Sequence, residues 1–320
     1  MHRPADTHSA EALRVIDSAA LARALPVGEA VEALRAALRA GLDVAATPAR
    51  SRVPTATGHL LLMPAEYGTH AGVKITGVVP GNPARGLPTI TGAYLLMDAT
   101  TLRPTALFDG EALTLLRTSA VSALAADHLA APDAGRLVVF GTGPQAFAHA
   151  VALHQVRPLS AVRVVGRDPQ RVARFAERCE EVGMTASAAA PDAVADADLV
   201  ACCTSSPTPL FDGRDLPAHA TVVAMGSHDP GARELDTRTL TSGTVVVEDA
   251  ATALREAGDV VIPVEEGALR AASLVPLADV VCGRHRVEDA GPHVFKSTGM
   301  AWQDLVVAAA AAAGPAGDGP

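Results

Sequence analysis

Lysine is scarce in this 320-residue chain: of its 26 basic residues only Lys74 and Lys296 are lysines, and the rest are arginines. A guanidinium keeps its proton at every accessible pH, whereas an ammonium can release one. A lysine retained in such a chain is therefore a mild pointer to proton chemistry. Cysteine is sparse as well. Cys179, Cys202, Cys203 and Cys282 form no C-x-x-C and no Cys/His metal spacing. They give no metal site and fit reduced, mostly buried thiols in a cytoplasmic protein. There is no excess of positive charge: 35 acidic residues outweigh the basic ones, for a net −9. That argues against general binding to nucleic acid or anionic membranes. Long apolar runs are absent too, since the longest, 305–313, has nine residues and a bilayer span needs about 18. The first eleven residues carry acidic and polar groups without a hydrophobic signal core, so export is not expected.

The chain does hold enough apolar material, 49% against 19% charged, to bury sizeable cores, and its length suits about two domains. Residues 1–12 and the 314–320 stretch GPAGDGP read as loose ends. Val31, Leu34, Leu38 and Leu42 recur at three- and four-residue steps and predict an amphipathic helix over 29–42. Short apolar runs at 59–63, 72–79 and 93–98, divided by turn signals such as PGNPARGLP, predict antiparallel or mixed strands. A long helix over 111–129 follows. After Pro132 the rhythm changes to strand (136–140), helix (144–154), strand (161–165) and helix (168–182), with further apolar runs at 198–203, 221–225 and 244–248. Strands alternating with helices at this interval build a doubly wound parallel sheet. The expectation is an α/β chain: a Rossmann-type dinucleotide domain over 119–299, and a smaller α+β domain from 1–118 completed by 300–320.

Residues 137–146, LVVFGTGPQA, read as a strand, then G-x-G-x-x-A, then a helix. Gly141 allows the tight turn, and Gly143 lets backbone N–H groups approach a pyrophosphate. Ala146 is small enough for helix and strand to pack closely, and the helix N-terminus adds a favourable field for the anion. The next strand ends in Gly166-Arg167-Asp168. An NAD site usually carries an acid at that strand end for the ribose 2′-hydroxyl. Here glycine leaves room and Arg167 can pair with a 2′-phosphate, which favours NADP(H) over NAD(H). Alternatively Arg167 is a solvated loop residue and Asp168 takes the ribose.

Residues 72–101 and 109–130, GTGPQA (141–146), MGSHDPGARELD (225–236) and FKSTGMAWQDL (295–305) together resemble the ornithine cyclodeaminase/mu-crystallin family, in order over roughly 45–305. That family includes cyclodeaminases, alanine-type dehydrogenases, ketimine reductases and binding proteins. The resemblance implies a homodimer whose first domain supplies substrate contacts and the dimer interface, with substrate held against the nicotinamide. It assigns Arg50 and Arg117 to the substrate carboxylate, Lys74 to catalysis and Thr298 to the substrate side. It assigns Thr89, Pro144, Gln145, Thr204, the run 222–225 ending in Met225, and Ser297 to the cofactor.

The residue chemistry supports these roles separately. Planar arginine–carboxylate pairs fix the geometry of an α-amino or α-imino acid, each charge-assisted bond worth about 1.5–3 kcal/mol. Arg117 lies in a helix rich in Leu, Ala, Ser and Thr, where a buried guanidinium without an anion is costly. Substrate or an internal acid would supply that anion, and Arg52 competes with Arg50. Lys74 sits among apolar strand neighbours; desolvated near arginines, its pKa should fall, suiting it to pass a proton at neutral pH. Lys296 reads as a group that orients backbone or phosphate. The sequence departs from the family pattern at His228, where cyclodeaminases carry an aspartate, with Asp229 one residue later. An imidazole relays protons but offers no fixed negative charge to a distal ammonium. The expected activity is an NAD(P)H-dependent ketimine (imino acid) reductase or amino-acid dehydrogenase, with His228 as second acid/base. The alternatives are an ornithine- or lysine-type cyclodeaminase and a non-catalytic NADPH-binding protein.

Overall fold

The computed structural model describes residues 12–287 and 291–314; the predicted loose ends fall almost wholly outside them. The first sheet contains β1 (Arg14–Ile16), β2 (Ser51–Pro54), β3 (His59–Tyr67), β4 (His70–Val78), β5 (Ile90–Asp98) and β6 (Pro104–Asp109), in the order β1-β6-β5-β4-β3-β2. All its pairings are antiparallel except β1 with β6. Between β1 and β2 run α1 (Ser18–Ala24) and α2 (Val27–Arg39). Helix α2 stops short of the predicted Leu42 because Gly41 adopts φ +89° and turns the chain away.

Helix α3 (Gly110–Leu129) starts on the Asp109 carboxylate, which accepts from the backbone N–H groups of Glu111 and Ala112. It is buried almost all round from Arg117 to Ala126, because it packs on α2, on the second sheet and on α4 (Pro144–Val156) together. No single apolar stripe therefore marks it.

The second sheet is parallel throughout. Its strands are β7 (Arg136–Phe140), β8 (Ala161–Val165), β9 (Ala186–Ala188), β10 (Leu199–Cys202), β11 (Thr221–Ala224), β12 (Thr244–Val247), β13 (Val275–Pro276) and β14 (His293–Lys296). They lie in the order β13-β12-β14-β11-β10-β7-β8-β9. The expected doubly wound sheet is present, and the strand order reverses between β7 and β10. The sequence pattern does not reveal β14: four residues with His293 and Lys296 at the ends carry no alternation, and the strand is defined by ladders to β11 and β12 on both sides. The remaining helices are α5 (Pro169–Glu181), α6 (Thr237–Thr241), α7 (Ala250–Glu256), α8 (Gly258–Glu265), α9 (Leu277–Val281) and α10 (Ala301–Ala313). Helix α10 returns to pack on α2, α3, β3 and β4, so the chain's last helix lies beside the first sheet. Among the described residues no helix is long and apolar enough to cross a membrane.

Candidate active site

A cleft of about 1040 Å³ opens at the strand-order reversal, lined by Gly141, Thr142, Gly143, Gly166, Arg167, Asp168, Arg171 and Thr204 among others. This is the crevice in which doubly wound sheets bind ligands. Gly141 takes φ +111°, and a Cβ there would stand 2.7 Å from the Cys203 carbonyl. Among the described residues a Cβ on Gly143 would meet nothing within 4 Å, which leaves its backbone open to a ligand. Helix α4 begins at Gly143 with no side-chain cap and Pro144 in its first turn, which leaves its first N–H groups for an anion. Ala146 is fully buried, and the buried Gln145 Oε1 has no hydrogen-bond partner among the described residues. These features fit a dinucleotide. At Gly166 the requirement is different from the expected spare room: a Cβ would sit 2.8 Å from Thr142 Cγ2 and Val172 Cγ2. The Asp168 carboxylate caps α5 by accepting from Gln170 and Arg171 N–H, while Arg167 and Arg171 both line the cleft.

A second cluster forms where β4, α3 and α10 meet. Lys74 Nζ lies 2.9 Å from Asp304 Oδ2 and donates to Oδ1 at 3.1 Å. Arg117 Nε donates to the same Oδ1 at 3.1 Å, and its Nη1 donates to Gln303 Oε1 at 3.0 Å. Lys74 is 3%, Arg117 6% and Asp304 0% exposed. Among the described residues Arg117 Nη2 carries no hydrogen bond, so one corner of the guanidinium is uncommitted. Burial first, then the neighbouring Arg117 charge, lowers the Lys74 pKa to about 8 against the opposing pull of Asp304. Arg50 pairs with Glu256 at 2.9 Å and donates to the carbonyls of Thr298 and Gly299 at 3.0 and 2.8 Å. Burial is the main cause that lowers its pKa. Arg52, its competitor in the sequence, is exposed on β2 against His59.

The three predicted cations are thus each tied to an internal carboxylate, and the sequence reading missed both acids. Asp304 stands in the first turn of α10, and Glu256 ends α7. Gly299 was missed too. It takes φ +78°, and a Cβ there would lie 2.4 Å from Arg117 Nη1. Glu248, after β12, accepts from Ser297 Oγ and Thr298 N at 2.8 Å, from Gly299 N at 3.1 Å and from Gln303 Nε2 at 2.5 Å. Ser297 is therefore buried with its hydroxyl spent on Glu248.

Thr204 lines the nucleotide cleft, its N–H and hydroxyl donating to Glu234 at 2.7 Å. Glu234 also accepts from Gly226 N, and Lys296 bridges Asp259 at 3.0 Å and the Ser227 carbonyl at 2.7 Å. Lys296 thus orients backbone. Met225 follows β11, half-buried, donating its N–H to the Cys202 carbonyl. Thr89 lies outside the lining of the nucleotide cleft, where its carbonyl accepts from Val79 N. His228 is solvent-exposed on its loop. Loss of hydration, then the charges of Arg50 and Lys296, lower its pKa against the opposing charges of Glu256 and Asp229. The Asp229 carboxylate turns back into its own loop and accepts from Gly231 N at 2.8 Å.

The model of the ornithine cyclodeaminase/mu-crystallin family matches residues 14–312. A Delta(1)-pyrroline-2-carboxylate reductase from Bacillus cereus is 35% identical over 273 residues, covering 82% of this chain and 84% of that protein. Two solved structures are close in shape. The Thermococcus litoralis Delta(1)-pyrroline-2-carboxylate reductase, in complex with NADH and L-proline, aligns with a TM-score of 0.86 at 26% identity, covering 94% of this chain and 96% of that one. An archaeal alanine dehydrogenase dimer with bound NAD aligns with a TM-score of 0.86 at 27% identity, covering 94% and 95%. On this match, which runs from the first strand to the end of the last helix, the chain belongs to the ornithine cyclodeaminase/mu-crystallin family.

Proposed function

We propose that this chain is an NAD(P)H-dependent imine reductase acting on a small α-imino acid, the cyclic pyrroline- and piperideine-2-carboxylates first among them. The observation that carries the reading is the sharing of one buried carboxylate, Asp304, by Lys74 and Arg117, with a guanidinium corner left over. Two cations on one acid leave a positive charge that a substrate carboxylate would balance. The bound nicotinamide cofactor would supply the hydride. Arg117, with Arg50, would hold the substrate carboxylate, and Lys74 would give its proton to the imine nitrogen. His228, on the exposed loop, would close the site as a second acid/base or a hydrogen-bond donor.

The cofactor would be held by the backbone from Gly141 to Ala146, with Thr204 in the loop after β10. NADP(H) is favoured because Asp168 is occupied in capping α5 while Arg167 and Arg171 face the cleft. A cyclodeaminase reading needs a free acid for a distal ammonium. Asp229 is turned into its own loop, and Glu256 is held by both Arg50 and Arg255, at 2.9 and 2.6 Å. The first sheet, with α10, would form the substrate lobe. Val53, Leu60 and Ile75 are exposed on the sheet face opposite Lys74, and a homodimer would cover them.

The test is incubation with pyrroline-2-carboxylate or piperideine-2-carboxylate and NADPH, and separately with ornithine. Consumption of NADPH with formation of the cyclic amino acid is expected. Ammonia and proline from ornithine, without net nucleotide oxidation, would overturn the reading.

A further inference from the structure

Resting on the reading of Lys74 as proton donor, we propose that Asp304 is a positioning residue: a single carboxylate on α10 that aims the lysine ammonium and keeps it charged beside the Arg117 guanidinium. Three observations converge on it. Asp304 is the one carboxylate within ion-pair distance of Lys74 among the described residues, and both its oxygens stand within 3.1 Å of Nζ. It is fully buried. Its own placement is fixed by the preceding residue: Gln303 Nε2 donates to Glu248 at 2.5 Å, while Gln303 Oε1 accepts from Arg117 Nη1 at 3.0 Å and Met300 N at 3.3 Å. Every polar atom of the Gln303 side chain is used, so the first turn of α10 is locked to the end of β12.

The charges facing Lys74 come from several elements. Arg117 on α3 and Arg50 before β2 disfavour its ammonium form, as does burial; Asp304 favours it by charge and hydrogen bond. Thr114 on α3 contributes a contact at 3.5 Å. Tyr94 on β5 is buried, its hydroxyl without a partner among the described residues and held neutral. Asp304 is therefore the principal group opposing deprotonation, and its charge, separately from its shape, sets the pH at which Lys74 holds a proton.

Asp304→Asn keeps the shape and removes the charge. The chain's two lysines make a direct readout available: in protein labelled with 15N-lysine, the side-chain nitrogens give two signals, and Lys74→Met assigns them. In Asp304→Asn, without substrate or nucleotide, the Lys74 signal should titrate about 1–3 pH units below the wild-type value. The high-pH limb of kcat/KM should move down with it, with kcat reduced by about 10²-fold. A Lys74 titration unchanged in Asp304→Asn would overturn the proposal. Should that variant fail to fold, Asp304→Glu keeps the charge and displaces it by a methylene: kcat should fall with the pH limb retained, and wild-type kcat would overturn the proposal. Because the nuclear signal needs no turnover, a chain inactive on every imine would sink the functional reading and leave this test standing.

Discussion

Gly299→Ala tests whether the position of the Arg117 guanidinium decides catalysis. Gly299 has φ +78°, and its Cβ would stand 2.4 Å from Nη1, 2.8 Å from Nη2 and 3.0 Å from Cζ. The glycine cannot simply rotate away, because its N–H donates to Glu248 and its carbonyl accepts from Arg50 at 2.8 Å. The guanidinium must yield, and with it the 3.0 Å bond to Gln303 or the 3.1 Å bond to Asp304. One charge-assisted bond is worth about 1.5–3 kcal/mol, so kcat/KM for the imine should fall about 10–150-fold. A left-handed alanine adds about 1–2 kcal/mol of instability. Gly41→Ala isolates that second part, since Gly41 has φ +89° with a Cβ there meeting nothing within 4 Å among the described residues. It should lower the melting temperature and leave kcat/KM alone. Steady-state rates and thermal melts on both variants give the answer. If Gly299→Ala keeps kcat/KM within about twofold of wild type, the guanidinium's placement is not what organises the site.

Lys74→Met should lower kcat about 10²–10⁴-fold, the usual contribution of a positioned acid. In the wild type the acid must be protonated to act. Activity should therefore be full below the Lys74 pKa of about 8 and fall above it, in a kcat/KM profile whose limb Lys74→Met abolishes. Arg167→Ser should reduce kcat/KM for NADPH about 10–150-fold by removing one charge-assisted contact and leave NADH nearly unchanged; an unaltered NADPH/NADH ratio would assign the 2′ position to Arg171 or another group. His228→Asp places a fixed charge where cyclodeaminases carry one. Ammonia release from ornithine, measured by a coupled assay, should appear in that variant, and its absence would show that the loop residue is not the point of divergence.

The nucleotide half of the molecule was legible because its signals are local. The strands 136–140 and 161–165 coincide with prediction, since a buried parallel strand is a continuous apolar run and the glycine turn follows it directly. Lys74 was legible as a lone ammonium between apolar strand residues. Asp304 was not, because its partners lie 187 and 230 positions away and nothing in the spacing joins residues 74, 117 and 304. A signal did exist. Trp302, Gln303 and Asp304 open a helix that is otherwise alanine, valine and leucine, and an acid in a helix apolar on every side needs a buried cation. Read that way, the anion demanded by Arg117 and the cation demanded by Asp304 are one observation. The role of Gly166 was hidden for a different reason: its contacts with Thr142 and Val172 belong to packing between loop and helix, which composition does not report.

Charge balance at the cluster also bears on direction. Lys74 and Arg117 share Asp304, and Arg50 and Arg255 share Glu256. Glu248 is saturated by backbone and side-chain donors. At Asp304 two buried cations thus face one carboxylate, and burial makes that local imbalance costly. An imino acid brings a carboxylate with no ammonium, which offsets the surplus. Hydride at the imine carbon and the Lys74 proton at nitrogen leave a neutral amine and a neutral lysine; one further proton from solvent makes the product a zwitterion, whose ammonium sits beside the Arg117 and Arg50 guanidiniums. The same electrostatics that draws the oxidised substrate in thus weakens the hold on the reduced product. A site built for a diamine would need the opposite sign at its far end, where Asp229 is turned into its own loop and Glu256 is already claimed by Arg50 and Arg255.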